Sequence, residues 1–247
     1  MRLELEQEDI ASYERAAEFL NYNGNDLVCL QHEYGIYGGN AGRYILALLR
    51  RLKMPLVTTL HTVLREPDPN QRIVLEEIAQ LSDRLIVMSE LAAQLLREVY
   101  SVPSGKIDVI PHGVPEMHFM DPNYFKDHFG TEGKSVLLTF GLLSPNKGIE
   151  NVIRALPAIL ALGAGKAIIS SPYWHAKELL TEKRGVIVPF DRPDAIAESV
   201  LALLENDAER HAMRKRAYLY SRGTTWPKTA RAYMASFQRA RFERSRA

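Results

Sequence analysis

Short apolar runs recur along most of the chain, and nearly all are continuous rather than alternating. They are Leu27–Leu30, Leu56–Leu60, Leu85–Met88, Ile107–Ile110, Val136–Phe140, Ala167–Ser170 and Val186–Val188. Runs of this length, rich in Val, Ile and Leu, predict strands covered on both faces, as in parallel sheets. Between them the apolar spacing turns helical. Ile45, Leu48, Leu49 and Leu52 fall on one face, and Ile73, Leu75, Ile78, Ala79 and Leu81 form a broad stripe. A helical stretch runs from Asp9 to Leu20, and Ser89 is an N-cap for a helix over 90–100. Pro193 stands at a first helical position, ahead of a stripe of Ile196, Val200, Leu203 and Leu204.

Strand–helix alternation with short connections predicts an α/β protein with helices packed on parallel sheets. The rhythm breaks between Pro111 and Gly133, where Pro111, Gly113, Pro115, Pro122 and Gly130 occur without a period. The predicted organisation is therefore two α/β domains, residues 1–113 and 135–225, joined by a connection over 114–134. A C-terminal helix follows at 226–247.

Composition adds little to this picture: 247 residues, 46% hydrophobic and 25% charged, is ordinary for a folded protein. One cysteine, Cys29, cannot form an internal disulfide, which fits a reducing compartment. The longest uncharged apolar stretch, Ala155 to Gly165, is well short of the about 20 residues that span a bilayer. The N-terminal residues Met1 to Glu6 are acidic and hold no apolar signal core. The expectation is a soluble cytoplasmic chain. Charge changes the picture more, because it is distributed unevenly. Residues 210–247 hold 11 Lys and Arg against a single acid, Glu243, whereas the rest of the chain carries a net −9. Two readings of that segment stand: a solvated helix face balanced by an acidic body, or a patch drawn to phosphates and anionic membrane.

Ligands of open parallel sheets sit beyond the carboxyl ends of the strands, where helix N-termini offer unpaired N–H groups. Four loops occupy such positions. Residues 31–42 are rich in glycine, including Gly38 and Gly39, but Tyr37 stands where a dinucleotide fingerprint needs its first glycine. A plain strand-to-helix turn is an equal reading of that loop. His61 directly follows the strand ending at Leu60, where a histidine can polarise a hydroxyl or serve the structure alone. Pro111-His112-Gly113-Val114 lies at the domain boundary. In Phe140-Gly141-Leu142-Leu143-Ser144-Pro145-Asn146-Lys147-Gly148-Ile149 a lysine precedes a helix, an arrangement suited to a diphosphate, with a capped helix start as the alternative. It is not a P-loop, since Gly-Lys-Ser/Thr is absent. One cysteine and seven histidines without ligand spacing give no metal cluster, and there is no Gly-x-Ser-x-Gly elbow.

Taken in order, Pro55–Thr62, Ser82–Glu90, Ile107–Val114, Phe140–Ile149, Gly163–Leu180 and Thr225–Ala230 resemble the motifs of the family 4, or "group 1", retaining glycosyltransferases. The resemblance implies a GT-B fold of two facing Rossmann-like domains, with the last helix packing back toward the N-terminal domain. It implies transfer of a sugar from a nucleotide-sugar donor to an acceptor hydroxyl, with retention and without a metal or other cofactor. In that family His61 would lie by the transferred sugar as the catalytic histidine. Gly38, Gly39, His112, Gly113, Gly141, Lys147 and Gly148 would line the substrates, with Lys147 on the donor diphosphate. The implied partners are a nucleotide sugar and a carbohydrate or lipid-linked acceptor, with contact to anionic membrane and a homo-oligomer as further expectations and no nucleic acid. Three departures stand out. Leu142 replaces an expected Arg, the chain starts later than its relatives, and units are missing near Leu162-Gly163, including a pair of glutamates that binds the donor. Glu178 follows that place rather than preceding it and is no substitute. The expectation is a shortened enzyme with a reduced second domain and impaired donor binding. The alternatives are a non-catalytic descendant or fragment that binds a nucleotide, an anionic lipid or a protein partner, and a subunit completed by another chain.

Overall fold

The computed structural model describes residues 3–116, 118–119, 126–134, 167–172 and 174–246. The predicted strand over 136–140, the Gly141–Gly148 loop with Lys147, the apolar stretch 155–165 and the junction near Leu162 lie outside the described residues. The chain divides into two compact units, residues 1–113 together with 226–247, and residues 114–225.

The first unit is built on a four-stranded parallel sheet, β1 (Val28–His32), β2 (Leu56–Leu60), β3 (Arg84–Val87) and β4 (Ile107–Val109), in that spatial order. Helices α1 (Ile10–Tyr22), α2 (Ile45–Leu49), α3 (Pro69–Leu81) and α4 (Glu90–Glu98) precede or connect the strands. Every step goes the same way across the sheet. Right-handed crossovers stepping in one direction place all their helices on one face. The core follows that rule: Leu30, Leu56, Leu60, Leu85 and Val87 pack with Tyr13, Ala17, Leu48, Leu75, Ile78 and Leu96. The opposite face shows Val57, Ile86 and Ile110, and a single long helix, α8 (Trp226–Arg244), covers it through Tyr233, Phe237 and Ala240.

Local signals explain where these elements begin. Asp68 accepts from the Asn70 and Gln71 amides while the Gln71 side chain accepts from the Asp68 amide, a full capping box ahead of Pro69. Ser89 caps α4 as expected, accepting from the Ala92 amide at 3.1 Å. β1 differs from the sequence reading. It runs on to His32 rather than ending at Leu30, so Gln31 and His32 are strand residues and not the start of the loop. Polar side chains concealed this: Gln31 faces outward at the sheet edge, and His32 is a polar residue in a buried place.

Helix α8 is joined to the sheet by charge as well as by apolar packing. Asp108 on β4 accepts from Arg84 (2.7 Å), Ser236 (2.7 Å) and Arg239 (2.7 Å). Arg241 reaches Asp26, Arg244 reaches Asp83, and Glu243 reaches Arg84. Three arginines of the basic segment thus meet carboxylates of the acidic body. Burial pushes the Asp108 carboxyl up, but its hydrogen bonds from Arg84, Ser236 and Arg239 outweigh this and hold it below the usual range.

In the second unit, described residues form a parallel pair, β5 (Ile169–Ser170) and β6 (Val186–Ile187), with helices α5 (Trp174–Leu179), α6 (Pro193–Glu205) and α7 (Asp207–Ser221). Pro193 opens α6 as the sequence predicts. Ala197 and Val200 pack with Ile169, Ile196 and Leu204. Buried Arg184 donates to the Leu179 carbonyl at 2.7 Å and lies 4.1 Å from the centre of the Tyr220 ring. Its charge is paired with the exposed Glu182 carboxylate at 2.7 Å. The cations Arg210 and Arg216 of the basic segment pair within this unit, with Asp207 and Glu209. No helix among the described residues is long and apolar enough to cross a membrane.

Candidate functional site

The carboxyl ends of β1, β2 and β4 carry the site. β2 ends at Leu60, and the next residue, His61, stays tied to the sheet because its amide donates to the His32 carbonyl at 3.0 Å. Its half-buried ring faces Gln31, with 2.9 Å between His61 Nε2 and Gln31 Oε1. β4 continues through Ile110, whose amide donates to the Val87 carbonyl, to Pro111 and His112. The exposed His112 ring lies 6.3 Å from that of His61, the two planes tilted by 35°. His61 and His112, 51 positions apart in sequence, are therefore neighbours at one sheet edge.

The acidic side of this edge is Glu33. Its carboxylate accepts from the Thr62 hydroxyl at 2.8 Å and from the Tyr34 amide at 2.9 Å. Beneath it His32 is fully buried, with the rings of Tyr34 and Tyr37 at 5.2 and 6.2 Å. Neither of its ring nitrogens has a hydrogen-bond partner among the described residues. Burial pushes His32 down to about 4, against an opposing pull from Glu33, so the ring is neutral at physiological pH.

The glycines have internal reasons to be glycine. A Cβ at Gly38 would lie 1.8 Å from the Gln7 carbonyl oxygen, and Gly38 is buried with its amide donating to the Tyr13 hydroxyl at 3.0 Å. Gly39 adopts a φ of +76° beside the Tyr44 ring. At Gly113 a Cβ would lie 2.1 Å from the Trp226 indole, because the first residue of α8 lies over this backbone. Packing of the chain on itself thus accounts for glycine at all three positions. Gly141, Lys147 and Gly148 lie outside the described residues, and so does Leu142.

The sequence reading took in Gln31 and Glu33 only as members of the loop over 31–42 and did not single out Thr59. The signal was present. With β1 extended to His32, Gln31 lies two residues beyond Cys29 on the same face, and Thr59 stands two before His61 on β2. Among the described residues no three His, Cys, Asp or Glu side chains are grouped so as to hold a metal ion.

Comparison with known proteins shows what this edge is similar to. Residues 4–116 match the model described as Glycosyltransferase Family 4. Over this stretch, a little under half of the chain, the sequence is similar to that family. The D-inositol 3-phosphate glycosyltransferase of Nocardiopsis dassonvillei is 31% identical over 153 residues, 56% of this chain and 35% of that relative. The enzyme of the same name from Segniliparus rotundus is 32% identical over 138 residues, 47% of this chain and 31% of the relative. The match thus spans about a third of these relatives' length. In three dimensions the chain is similar to a glycosyltransferase from Rickettsia africae ESF-5, with a TM-score of 0.72 at 12% identity over 97% of this chain and 84% of that one. It is also similar to HepE of Anabaena, solved with UDP and glucose, with a TM-score of 0.68 at 12% identity over 91% and 80%. The fold is α/β with parallel sheets, similar to that of these solved glycosyltransferases.

Proposed function

We propose that this chain binds a nucleotide sugar at the carboxyl edge of the β1–β4 sheet and transfers the sugar to an acceptor hydroxyl. The observation that carries the reading is the placement of His61 at the end of β2, half-buried and 6.3 Å from His112, within the stretch that matches the Glycosyltransferase Family 4 model. An imidazole there can hydrogen-bond a sugar hydroxyl and stabilise charge developing as the bond to the leaving diphosphate breaks. The acceptor oxygen forms the new bond to the sugar carbon, and its proton passes to the oxygen of the departing diphosphate. The resemblance adds retention of configuration, a metal-free reaction and Lys147 as the cation on the diphosphate. UDP is the first nucleotide to test, since HepE was solved with it, and D-inositol 3-phosphate is the first acceptor, from the relatives' names. Leu142, in place of an arginine, and the absent glutamate pair support weak donor binding and slow turnover.

A thermal-shift screen of UDP-, GDP- and ADP-sugars tests this reading. Ligand at ten times its Kd stabilises the native state by about 1.4 kcal/mol, a rise of about 3 °C or more. The reading predicts such a rise with at least one nucleotide sugar, reduced in His61→Ala. Absence of any shift with nucleotides, together with a salt-sensitive shift on anionic vesicles, would instead support the non-catalytic alternative.

A further inference from the structure

Gln31 has no role in the chemistry assigned above, yet it stands at the centre of a hydrogen-bonded row that ends on His61. Its side-chain oxygen is 2.9 Å from His61 Nε2. Its amide nitrogen donates to Thr59 Oγ1 at 3.2 Å and to Cys29 Sγ at 3.3 Å. Thr59 Oγ1 is in turn 3.2 Å from the Tyr233 hydroxyl, on α8. Thr59 is 1% exposed, so the hydroxyl on which Gln31 rests is fixed within the sheet. The Gln31 backbone is fixed as well, through strand pairing with Thr59 and the Tyr37 hydroxyl on its carbonyl at 2.8 Å.

We propose that Gln31 is a positioning residue for His61, selecting its Nε2–H tautomer and turning the lone pair of Nδ1 toward the substrate. The chemistry follows from the partners. With both amide hydrogens engaged by Thr59 and Cys29, the end of Gln31 that faces the imidazole is its carbonyl, which can only accept. His61 Nε2 must then carry the proton, and Nδ1 is left as an acceptor for a hydroxyl hydrogen. The sheet thus sets which hydrogen-bonding sign the histidine offers to a sugar. Tyr233 extends the row to the helix that follows the second unit. The proposal rests on the reading of His61 as a sugar contact, although the tautomer itself can be measured without any sugar.

Long-range ¹H–¹⁵N NMR correlations of the His61 ring, recorded on the full chain with its ring neutral, test it. The wild type should show the proton on Nε2. Gln31→Lys, which presents a donor at the same reach, should invert the ring to Nδ1–H, and Gln31→Glu, which restores an acceptor, should keep Nε2–H. Thr59→Val, which removes the hydroxyl beneath Gln31 with little change of shape, should shift the tautomer ratio by about fivefold, the weight of one net hydrogen bond. In nucleotide-sugar binding, Gln31→Lys should weaken affinity toward the level of His61→Ala, whereas Gln31→Glu should not. Nδ1–H in the wild type, or the same tautomer in Gln31→Lys, would overturn the proposal. If the tautomers follow this pattern but His61→Ala binds donor as tightly as wild type, then the sugar-contact reading fails and the positioning of the ring stands.

Discussion

Ser236 on α8 donates a 2.7 Å hydrogen bond to Asp108 on β4, across 128 residues of sequence. The contact keys the last helix to the sheet by the same carboxylate that neutralises Arg84, which is only 7% exposed. Removing that carboxylate leaves the buried guanidinium with only the half-exposed Glu243 as a charged partner, a loss of about 3 kcal/mol. Asp108→Ala should therefore lower the urea midpoint severely, whereas Ser236→Ala should cost about 1 kcal/mol. Equal, small effects of both changes would show that the helix is held by apolar packing alone.

The same group makes stability depend on acid. Asp108 is held below its ordinary range in the folded chain, so its contribution is present above the carboxylate range and fades as pH falls through it. In Asp108→Asn that part of the acid sensitivity should disappear from denaturant midpoints recorded at decreasing pH.

His32 acts in a higher window. The folded ring titrates at about 4 and the unfolded one near 6.5, so the unfolded chain binds the extra proton between those values. Stability is complete above pH 6.5 and declines as pH falls toward 4, by about 3 kcal/mol for this group. His32→Phe keeps an aromatic ring beside Tyr34 and Tyr37 and carries no proton. Denaturant titrations at pH 7 and pH 4.5 should show a smaller difference for that variant than for the wild type.

Gly38→Ala places a methyl within 1.8 Å of the Gln7 carbonyl oxygen, and that neighbour is backbone. Overpacking of this kind should cost about 3 kcal/mol or more and displace the chain near Gln7. Gly105→Ala is the control, since no atom lies within 4 Å of a Cβ there. Its unfolding midpoint should stay close to that of the wild type.

Much of this architecture was legible because parallel sheets leave an unusual signature. Leu56–Leu60 and Leu85–Val87 are covered from both sides, and their continuous apolar character announced them. Ser89 and Pro193 marked helix starts through backbone chemistry that depends only on neighbours in sequence. The end of β1 was not legible, since Gln31 faces outward at a sheet edge and His32 is a polar residue in a fully buried place. The site was half legible. His61 was visible because it follows a strand directly, and His112 because it borders a Pro/Gly-rich connection. That the two rings adjoin depends on β2 and β4 each ending at the same edge, which periodicity alone does not reveal. The partners of Arg239, Arg241 and Arg244 were hidden in the same way. A run of positive charge in sequence gives no sign that Asp108, Asp26 and Asp83 lie beneath it.

The central claim places a nucleotide-sugar site at the carboxyl edge of the first sheet, and amide chemical-shift mapping on titration with a UDP-sugar tests it most directly. The expected result is saturable shifts concentrated at His61, Thr62, His112 and Gly113, with the opposite edge at Ser82, Asp83 and Gly105 unchanged. Shifts confined to that opposite edge, or none at millimolar ligand for any nucleotide sugar, would contradict it.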